Sequence, residues 1–356
     1  MSKKLYASEY NQALLDSIGP LDNQLFNQEL KIDSDENEKI STPSLNFLQD
    51  AWRRLKKNKG AMISLFVVIA IILLAVAAPV IAPHSPFQQN PSHSNLPPKI
   101  PGLEWFSWFD GKSVNRGGTL VDNYEQAGVP EGVYYYLGTD SLGRDLLSRI
   151  LYGTRISLIV AFVAVLINLV FGIIYGLISG WFGGKVDTFM QRILEILSGI
   201  PNLVIVVLML LVLKPGITSI IITIALTSWI TMSRVVRAQT IRLKQEEYVQ
   251  AARVLGQSTL KIMFKHLLPN MLGIIIVQVM FAIPSAIFFE AFLSFIGIGI
   301  PAPNASLGTL LNDGYQTFRF LPHLMWYPAA MISIIMLSFN LLADGLRDAF
   351  DPKMKV

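Results

Sequence analysis

The chain of 356 residues contains no cysteine. Disulfide bonds, thiolate nucleophiles and cysteine-ligated metal sites are therefore excluded, and the redox state of the compartment leaves no mark on the sequence. Charged residues are also scarce, at 15% of the chain, whereas hydrophobic residues make up 52%. Because the apolar residues are bunched into long runs, this composition is typical of a membrane protein.

Two sequence patterns of catalytic sites are missing as well. No GxxxxGK[ST] phosphate loop is present; the nearest approach, GWFGGKVD from Gly180, has the wrong spacing and lacks a hydroxyl after Lys185. The histidines are scattered, without a close pair or an HExxH motif, at His84, His93, His266 and His323. A lone histidine is more often a structural residue than a ligand, so we assign no metal site and no catalytic residue.

Six segments are long and apolar enough to cross a membrane, which takes roughly 20 helical residues for ~30 Å of hydrocarbon. The candidate spans are about Ala61–Ala82, Ser157–Ser179, Leu194–Leu213, Ile217–Ser233, Met271–Gly299 and Trp326–Leu346. Pro284 interrupts the fifth and predicts a kinked or tilted helix. The expected fold is therefore an all-α integral membrane protein with six transmembrane helices.

The distribution of lysine and arginine predicts the orientation of these spans. Basic residues cluster beside the segments that face the cytoplasm if the N-terminus is inside, whereas the two short outer loops hold only Lys214 and Arg319. Both termini are therefore expected in the cytoplasm. The net charge of +4 needs no nucleic-acid partner, because topology and anionic membrane lipid account for it.

The chain divides by composition into a series of segments. In order, these are a flexible cytoplasmic tail (1–44), a basic amphipathic helix on the inner membrane surface (45–60), the first span (61–82), an extracytoplasmic loop (83–156), a core of five further spans (157–346) and a cytoplasmic C-terminus (347–356). A simple basic stop signal is the alternative for 45–60. Aromatic residues in the outer loop, Trp105, Phe106, Trp108 and Phe109, would anchor it at the lipid headgroups or contact an external partner.

The cytoplasmic segment QEEYVQAARVLGQSTLKIMFKHLLPN, here called the 245–270 loop, lies between the fourth and fifth spans. Its apolar residues recur at helical spacing on both sides of Gly256, which predicts two short amphipathic helices hinged at that glycine and closed by Pro269. Such a pair suits docking into the groove of a partner. An ordinary interfacial loop is the alternative.

The outer segment LGTDSLGRDLLSRILYGTRISL carries a second concentration of polar residues. Its candidate site residues are Gly138, Thr139, Asp140, Gly143, Arg144 and Asp145. The two glycines frame a turn, and Asp140 or Ser141 could cap a helix that runs towards the second span. A metal or acid–base pair of Asp140 and Asp145 finds no third ligand at a convincing spacing, so a cap and a salt-bridged helix are favoured.

Polar side chains inside the spans are expected to face the helix bundle or a water-filled path, because a charge in the bilayer is costly. These residues are Asn168, Glu195, Gln278, Glu290, Asn340 and Asp344. Glu290 could belong to a proton or cation relay. The favoured interpretation places Glu290 and Asp344 near the membrane edges, where backbone groups or a partner subunit satisfy them.

The 245–270 loop resembles the EAA loop of ABC importer permeases. That motif reads EAA, three residues, Gly, nine residues, Ile, any residue, Leu-Pro, and the chain matches it at Ala251, Ala252, Gly256, Leu268 and Pro269. Two positions depart from it. Gln250 stands where the family usually has Glu, and His266 stands where the consensus has Ile.

The GTDSLGRD segment resembles the signature of the DppC/OppC subfamily of peptide-importer permeases. Further likeness lies in the stretches that start at Asp187, Ser228, Ala286 and Phe339, so the resemblance covers about residues 45–354. It implies the type I ABC importer permease fold and a non-catalytic subunit that forms half of a translocation path for di- or oligopeptides. The implied partners are a homologous permease subunit, one or two cytoplasmic ATPase subunits that use ATP and Mg, and an extracytoplasmic substrate-binding protein; no cofactor is bound by this chain.

For the loop, the resemblance implies contact with the ATPases. Within it we assign Ala251 and Ala252 to close packing, Gly256 to the turn, and Leu255, Leu260 and Met263 to the apolar contact. Two other functions stay open at this point. One is import of nickel or another small solute by the same architecture, and the other is an ion-coupled secondary transporter, for which the sequence shows no inverted repeat.

Overall fold

The computed structural model describes residues 47–114, 118–214 and 216–350; the predicted tail of residues 1–44 lies outside the described residues. The helices run in chain order as α1 (Phe47–Leu55), α2 (Lys59–Ile81), α3 (Asn123–Gln126), α4 (Leu146–Phe182), α5 (Gly184–Gly199), α6 (Asn202–Val212), α7 (Ile217–Leu243), α8 (Glu247–Val254), α9 (Thr259–Ile262), α10 (Leu268–Phe295), α11 (Leu307–Thr317) and α12 (His323–Phe350). A π-helical turn, Met263–Leu267, joins α9 to α10. In the outer loop, strands β1 (Lys112–Val114) and β2 (Leu120–Asp122) form an antiparallel hairpin that pairs Ser113 with Val121.

The expected all-α membrane architecture is confirmed. Among the residues that the structure describes, five helical stretches are long and apolar enough to cross a membrane: α2, α4, α7, α9 together with α10, and α12. A bent pair, α5 with the first part of α6, brings the number to six if it counts as one span.

The third expected span, Leu194–Leu213, is not one straight helix. Its residues belong to α5 and α6, whose axes differ by 82°. Pro201 causes the break, since it has no N–H to donate and its ring pushes the preceding Ile200 into an extended conformation. The apolar composition of the segment was correctly identified, but the chain changes direction within it.

The fifth span is one continuous helix. Helix α10 passes through Pro284, whose side chain is buried. It ends at Phe295 because Gly297 adopts a left-handed φ of 83°. The Ile298 N–H then bonds to the Leu293 carbonyl at 2.9 Å, which closes the helix with a Schellman motif.

The most extensive helix contact joins α4 to α7. Gly172, Gly176 and Gly180 recur every four residues and therefore lie in one row on α4. A Cβ on Gly176 would come 2.6 Å from the Ser233 carbonyl oxygen, and one on Gly180 would come 2.7 Å from Cβ of Thr240. Such rows of small residues let transmembrane helices approach backbone to backbone.

The short helix α1, which carries basic residues as the sequence predicts, also packs against α2 and α12. Ala51 and Leu55 are buried in a small apolar cluster with Ala61 and Ala349. The amide of Ala61 is capped by Asn58, whose Oδ1 accepts its N–H at 3.1 Å. The first span is therefore tied at its inner end to the C-terminal end of α12.

The glycine row leads to a prediction about stability. Gly176→Ala should lower the free energy of unfolding by about 1–3 kcal/mol, because the added methyl group meets backbone atoms of α7 that cannot move aside. Gly199→Ala is the matched control, since nothing lies within 4 Å of its Cβ position. The midpoint of thermal unfolding of the detergent-purified proteins measures the difference. Equal midpoints for the two variants would contradict the close contact.

Candidate functional site

The first half of the 245–270 loop is helix α8, and it ends in the turn that the sequence predicts. Gly256 has a left-handed φ of 75°, with open space around its Cβ position. The Gln257 N–H bonds to the Ala252 carbonyl at 3.1 Å, and the Gly256 N–H bonds to the Arg253 carbonyl at 3.0 Å. This pair of bonds is a Schellman motif, for which glycine at the left-handed position is preferred.

Pro269 lies at the start of the next span, a position that suits proline, but the chain does not leave the helical conformation before it. Helix α9 passes through the π turn directly into α10, and Pro269 occupies the first turn of α10, where its missing N–H costs nothing. The loop is therefore a short helix followed by a turn and then by the cytoplasmic end of a transmembrane helix.

One side of the loop is buried in the protein. Val249 and Leu267 are fully buried, and Ala252, Ile262 and Met263 are nearly so. They belong to a cluster with Leu177 and Trp181 of α4, Val236 and Leu243 of α7, and Met271 and Ile275 of α10. The loop and the inner ends of three spans thus share one apolar core.

The opposite side of the loop is apolar and uncovered. Val254, Leu255, Leu260 and Phe264 are 87%, 80%, 67% and 51% exposed. Met263, which the sequence assigned to a partner contact, instead lies in the core of the chain, whereas Phe264 is exposed on the same side as Leu260, four residues earlier. We call the four exposed residues the apolar face.

The two residues that depart from the EAA motif both have local partners. The Gln250 side-chain amide donates to the Lys244 carbonyl at 2.9 Å, a bond that a carboxylate could not make. His266 Nε2 lies 2.8 Å from Oε1 of Gln257 and so links the π turn to the Gly256 turn. Both substitutions therefore support the shape of the loop. Ala251, on the same helix, is exposed, whereas Leu268 is half-buried.

A cation–π arrangement fastens α8 to the end of α4. The Trp181 ring has the Arg253 guanidinium 5.1 Å from its centroid and Lys244 Nζ 5.7 Å from it. Lys244 Nζ also donates to the Trp181 carbonyl. Each such contact contributes on the order of 0.5–1 kcal/mol at a partly exposed site, so α8 is held to α4 by side chains as well as by the shared core.

The outer segment is organised around one carboxylate. Asp140 Oδ2 accepts from Arg144 Nε at 2.7 Å and from Arg149 Nη1 at 2.5 Å, while its Oδ1 accepts the backbone N–H groups of Leu142 and Arg144. Asp140, Arg144 and Arg149 are all buried. Arg149 also reaches Asp313 of α11, at 3.4 Å. The predicted salt-bridged structure is therefore present, but inside the protein.

The helix cap is Asp145, not Asp140 or Ser141 as expected. Asp145 Oδ2 accepts the Ser148 N–H at 2.8 Å, so α4 begins at Leu146, before the predicted span. Asp140 is unavailable because its oxygens serve the turn and the two arginines. Within the described residues, no cluster of three or more histidine, aspartate and glutamate side chains is arranged to hold a metal ion.

The remaining signature residues, Thr139, Gly138 and Gly143, attach this segment to the earlier part of the outer loop by hydrogen bonds and close backbone contacts. We call this attachment the strap. Thr139 Oγ1 donates to the His93 carbonyl at 2.6 Å and accepts the Leu96 N–H at 2.8 Å. A Cβ on Gly143 would collide with the Asn90 carbonyl oxygen, at 1.8 Å, and one on Gly138 would come 2.5 Å from the Leu96 carbonyl oxygen. The glycines therefore permit close backbone approach as well as the turn.

His93 packs inside this strap. Its Nδ1 lies 2.8 Å from the Tyr135 hydroxyl. Burial lowers the pKa of His93, and neighbouring His84 lowers it further. The exposed side of the outer loop carries Trp105 and Trp108, as the sequence analysis expected for an anchor or a partner contact.

Glu290 is fully buried, but its partners differ from those expected. Its two carboxylate oxygens accept the hydroxyls of Ser157 on α4 and Ser294 on α10, each at 2.8 Å. The Ser306 hydroxyl lies 3.3 Å from that of Ser294, and Ser306 caps α11. Side chains of the same subunit, rather than backbone groups or a partner subunit, therefore satisfy this carboxylate and join three helices through it.

The other polar residues of the spans fall into two groups. Asn168 and Gln278 line a cavity between α4, α7 and α10, as expected of residues that face the bundle. Glu195 was expected there too, but its side chain is exposed on α5 and paired with Arg192 at 2.6 Å. Asp344 is exposed near the inner end of α12.

Several residues that build these sites were not predicted from the sequence. One is Trp181, which contacts Arg253 of α8. Another is the ion pair between Asp187 and Arg237, in which Nε of Arg237 lies 2.6 Å from Oδ1 of Asp187. Both contacts join elements that are distant in sequence, so no local pattern predicts them. The glycine row from Gly172 to Gly180 could have been found from its spacing of four residues.

The sequence was compared with protein families and with known proteins. The profile of the family described as "binding-protein-dependent transport system inner membrane component" matches residues 172–356, and that described as "N-terminal TM domain of oligopeptide transport permease C" matches residues 46–98. The chain is 47% identical over 325 residues to the dipeptide transport system permease protein DppC of Lactococcus lactis subsp. cremoris (strain MG1363), which covers 90% of this chain and 94% of that protein. It is 39% identical over 318 residues to the oligopeptide transport system permease protein OppC of Bacillus subtilis (strain 168), which covers 89% and 93%. Among solved structures, an inward-facing form of the MetNI methionine ABC transporter matches with a TM-score of 0.48 at 18% identity, over 58% of this chain and 98% of that chain.

The buried carboxylate of the outer segment gives a second prediction. Asp140→Ala should destabilise the protein by about 3–5 kcal/mol, because it leaves two buried guanidinium groups without their shared partner. Asp313→Ala is the control and should cost less than about 1 kcal/mol, since Asp313 is half exposed and its contact with Arg149 is long. Thermal unfolding of the two purified variants compares them. A smaller loss for Asp140→Ala than for Asp313→Ala would contradict the central role of Asp140.

Proposed function

Because the chain belongs to the family of binding-protein-dependent transport system inner membrane components, in its DppC/OppC branch, we propose that it is a transmembrane permease subunit of an ATP-driven importer of di- or oligopeptides. It pairs with a homologous permease subunit, and the two chains form the halves of a translocation path. The observation that carries the proposal is the 245–270 loop, a rigid element with an uncovered apolar face at the end where the ATPase subunits would bind.

The loop has the two properties that a coupling element needs. The apolar face of Val254, Leu255, Leu260 and Phe264 offers a contact to a groove on a partner. Behind that face, the loop is packed into the inner ends of α4, α7 and α10. Closure of the ATPases on ATP would therefore move α8 and these spans together as a rigid body.

In this proposal the chain is a non-catalytic subunit. It lacks a phosphate loop, so one or two cytoplasmic ATPase subunits bind ATP and Mg and carry out hydrolysis. An extracytoplasmic substrate-binding protein delivers the peptide to the outer side of this chain. There the ion pairs of Asp140 with Arg144 and Arg149 hold the outer segment in a fixed conformation.

The proposal is tested by transport in cells that lack only this chain. Expression of the chain should restore uptake of a labelled dipeptide, and uptake should depend on ATP and persist when the proton gradient is dissipated. Restored uptake of nickel without peptide uptake would favour the small-solute alternative. Uptake that stops with the proton gradient, at constant ATP, would favour a secondary transporter.

The apolar face supplies the third prediction. Leu255→Glu should reduce co-purification of the ATPase subunits by about tenfold or more, because it places an unpaired charge in the contact. Peptide uptake should fall with it. Leu120→Glu makes the same change at an exposed leucine of the outer hairpin and should leave co-purification intact. If Leu255→Glu retained both the ATPases and uptake, the apolar face would not be the docking site.

A further inference from the structure

Helix α5 carries charged side chains on an exposed face. The side chains of Arg192 and Glu195 are 72% and 56% exposed and form an ion pair of 2.6 Å. Ser198, three residues further along, is exposed as well. Residues spaced by three lie on one side of a helix. These three therefore form a polar face that the described part of the chain leaves largely uncovered.

Contacts of this segment with α4 place the polar face inside the membrane. Gln191 Nε2 donates to Oγ of Ser179, at 3.1 Å, where the apolar run of α4 ends on its inner side. Asn202, at the start of α6, lines the cavity between α4, α7 and α10 together with Asn168, which lies near the middle of α4. We call this cavity the polar cavity. Glu195 comes between these two levels, about 6 Å beyond Gln191 at 1.5 Å per residue.

The polar surface continues on the neighbouring helix α7. Thr227 and Thr231 line the polar cavity, and Arg234 follows Thr231 by three residues, so it lies on the same side of α7. Nη2 of Arg234 donates to Oγ of Ser198 at 3.1 Å, which joins the two helices. A polar surface therefore runs from the cavity towards the cytoplasm. Its inner part, which we call the charged stripe, consists of Arg192, Glu195, Ser198 and Arg234.

The depth of the charged stripe restricts what can lie against it. Charged side chains within membrane spans face the interior of a helix bundle or a water-filled path, because lipid cannot solvate them. The exposed apolar residues of α5, Phe189 and Ile196, lie on another side of the helix and suit lipid or a partner subunit. Since the charged stripe continues into the polar cavity, a water-filled path fits it better than a dry contact between subunits.

The charges of this region leave one arginine without an acidic partner. Arg192 pairs with Glu195. Arg237 of α7 pairs with Asp187 of α5. Arg234, by contrast, has no carboxylate partner among the described residues, and its guanidinium donates to a single hydroxyl. Because a guanidinium carries five N–H donors in a planar fork that matches a carboxylate, Arg234 can still bind one from a ligand.

We infer that the charged stripe lines the inner half of the translocation path and that Arg234 binds the terminal carboxylate of the peptide on its way to the cytoplasm. The inference rests on the proposed function and adds the residues and the chemical group that are recognised. Every unmodified peptide carries this carboxylate, so the contact leaves the side chains free to vary. An ion pair in contact with water is weak, which permits release of the peptide.

The first test asks whether the charged stripe is in contact with water. The chain has no cysteine, so an introduced cysteine is its single thiol. Ser198→Cys places the thiol on the charged stripe, and the control Ile196→Cys places it on the apolar side of the same helix at similar depth. The complete transporter in lipid nanodiscs is treated with an anionic methanethiosulfonate, with and without ATP, and labelling is followed by the mass of this chain. Because the thiolate is the reactive form and needs water, Ser198→Cys should react at least about tenfold faster in one of the two states.

The second test asks whether Arg234 recognises the carboxylate. Initial uptake rates of alanyl-alanine and of its C-terminal amide are measured in proteoliposomes that contain the complete transporter, with the substrate-binding protein saturated by each compound. The rate for the free peptide divided by the rate for the amide is the discrimination. Since the binding protein is the same throughout, its own preference cancels when variants are compared.

Arg234→Gln, which removes the positive charge, should lower the discrimination about two- to fivefold, the loss expected for one ion pair in contact with water. Arg234→Lys keeps the charge and should retain part of it. Arg347→Gln makes the control change at an exposed arginine near the inner end of α12 and should leave the discrimination at the wild-type value. If Arg234→Gln does not assemble, the anionic label on Ser198→Cys takes its place, because the attached sulfonate lies beside Arg234 and competes with the carboxylate.

The outcomes separate the inference from the proposed function. Equal labelling rates at the two cysteine positions in both states would overturn the assignment of the charged stripe to the path, because the stripe would then be no more open to water than the apolar side. Faster labelling of Ser198→Cys with unchanged discrimination in Arg234→Gln would overturn the carboxylate contact. A wild-type transporter that moves neither compound would instead overturn the proposed function, whereas the labelling rates still decide whether the stripe faces water. Faster labelling together with reduced discrimination supports the inference.

Discussion

The close approach of α4 and α7 is the contact on which the rest of the structure depends. Asn168, Gly172, Gly176 and Gly180 are spaced by four residues, so they form a single row on α4. The first borders the polar cavity, and the glycines meet α7 without intervening side chains. Trp181, the next residue, holds the 245–270 loop. Helix α4 thus contacts both the 245–270 loop and the cavity.

If the loop moves when ATPase subunits close, these contacts would carry the movement along α4 to the cavity. From Trp181 back to Asn168 the helix rises about 20 Å, at 1.5 Å per residue. Arg237 of α7 also forms a two-bond pair with Asp187 of α5, which braces the inner end of the same helices. Because the backbones are in direct contact, little displacement is absorbed by flexible side chains between them, and the two ends shift together.

Local patterns predicted the membrane segments and the Gly256 turn, because hydropathy and a left-handed glycine act over a few residues. Details that depend on distant neighbours could not be obtained in this way. Asp140 and Asp145 look alike as helix caps, and the choice between them depends on the bonds that occupy Asp140, from the turn, Arg144 and Arg149. The bend at Pro201 leaves the hydropathy of the segment unchanged.

The partners of Glu290 bear on how the protein is made. A spanning helix that carries this carboxylate is poorly suited to lipid on its own, since buried charges need hydrogen-bonding or ionic partners. Ser294, on the same helix, supplies one partner, but Ser157 comes from α4. During synthesis α4 precedes α10, so Ser157 is already in the membrane when Glu290 arrives. The helix that supplies Ser157 is therefore synthesised before the helix that carries Glu290. This order allows α10 to enter the membrane beside α4, with a hydrogen-bond donor for Glu290 already in place.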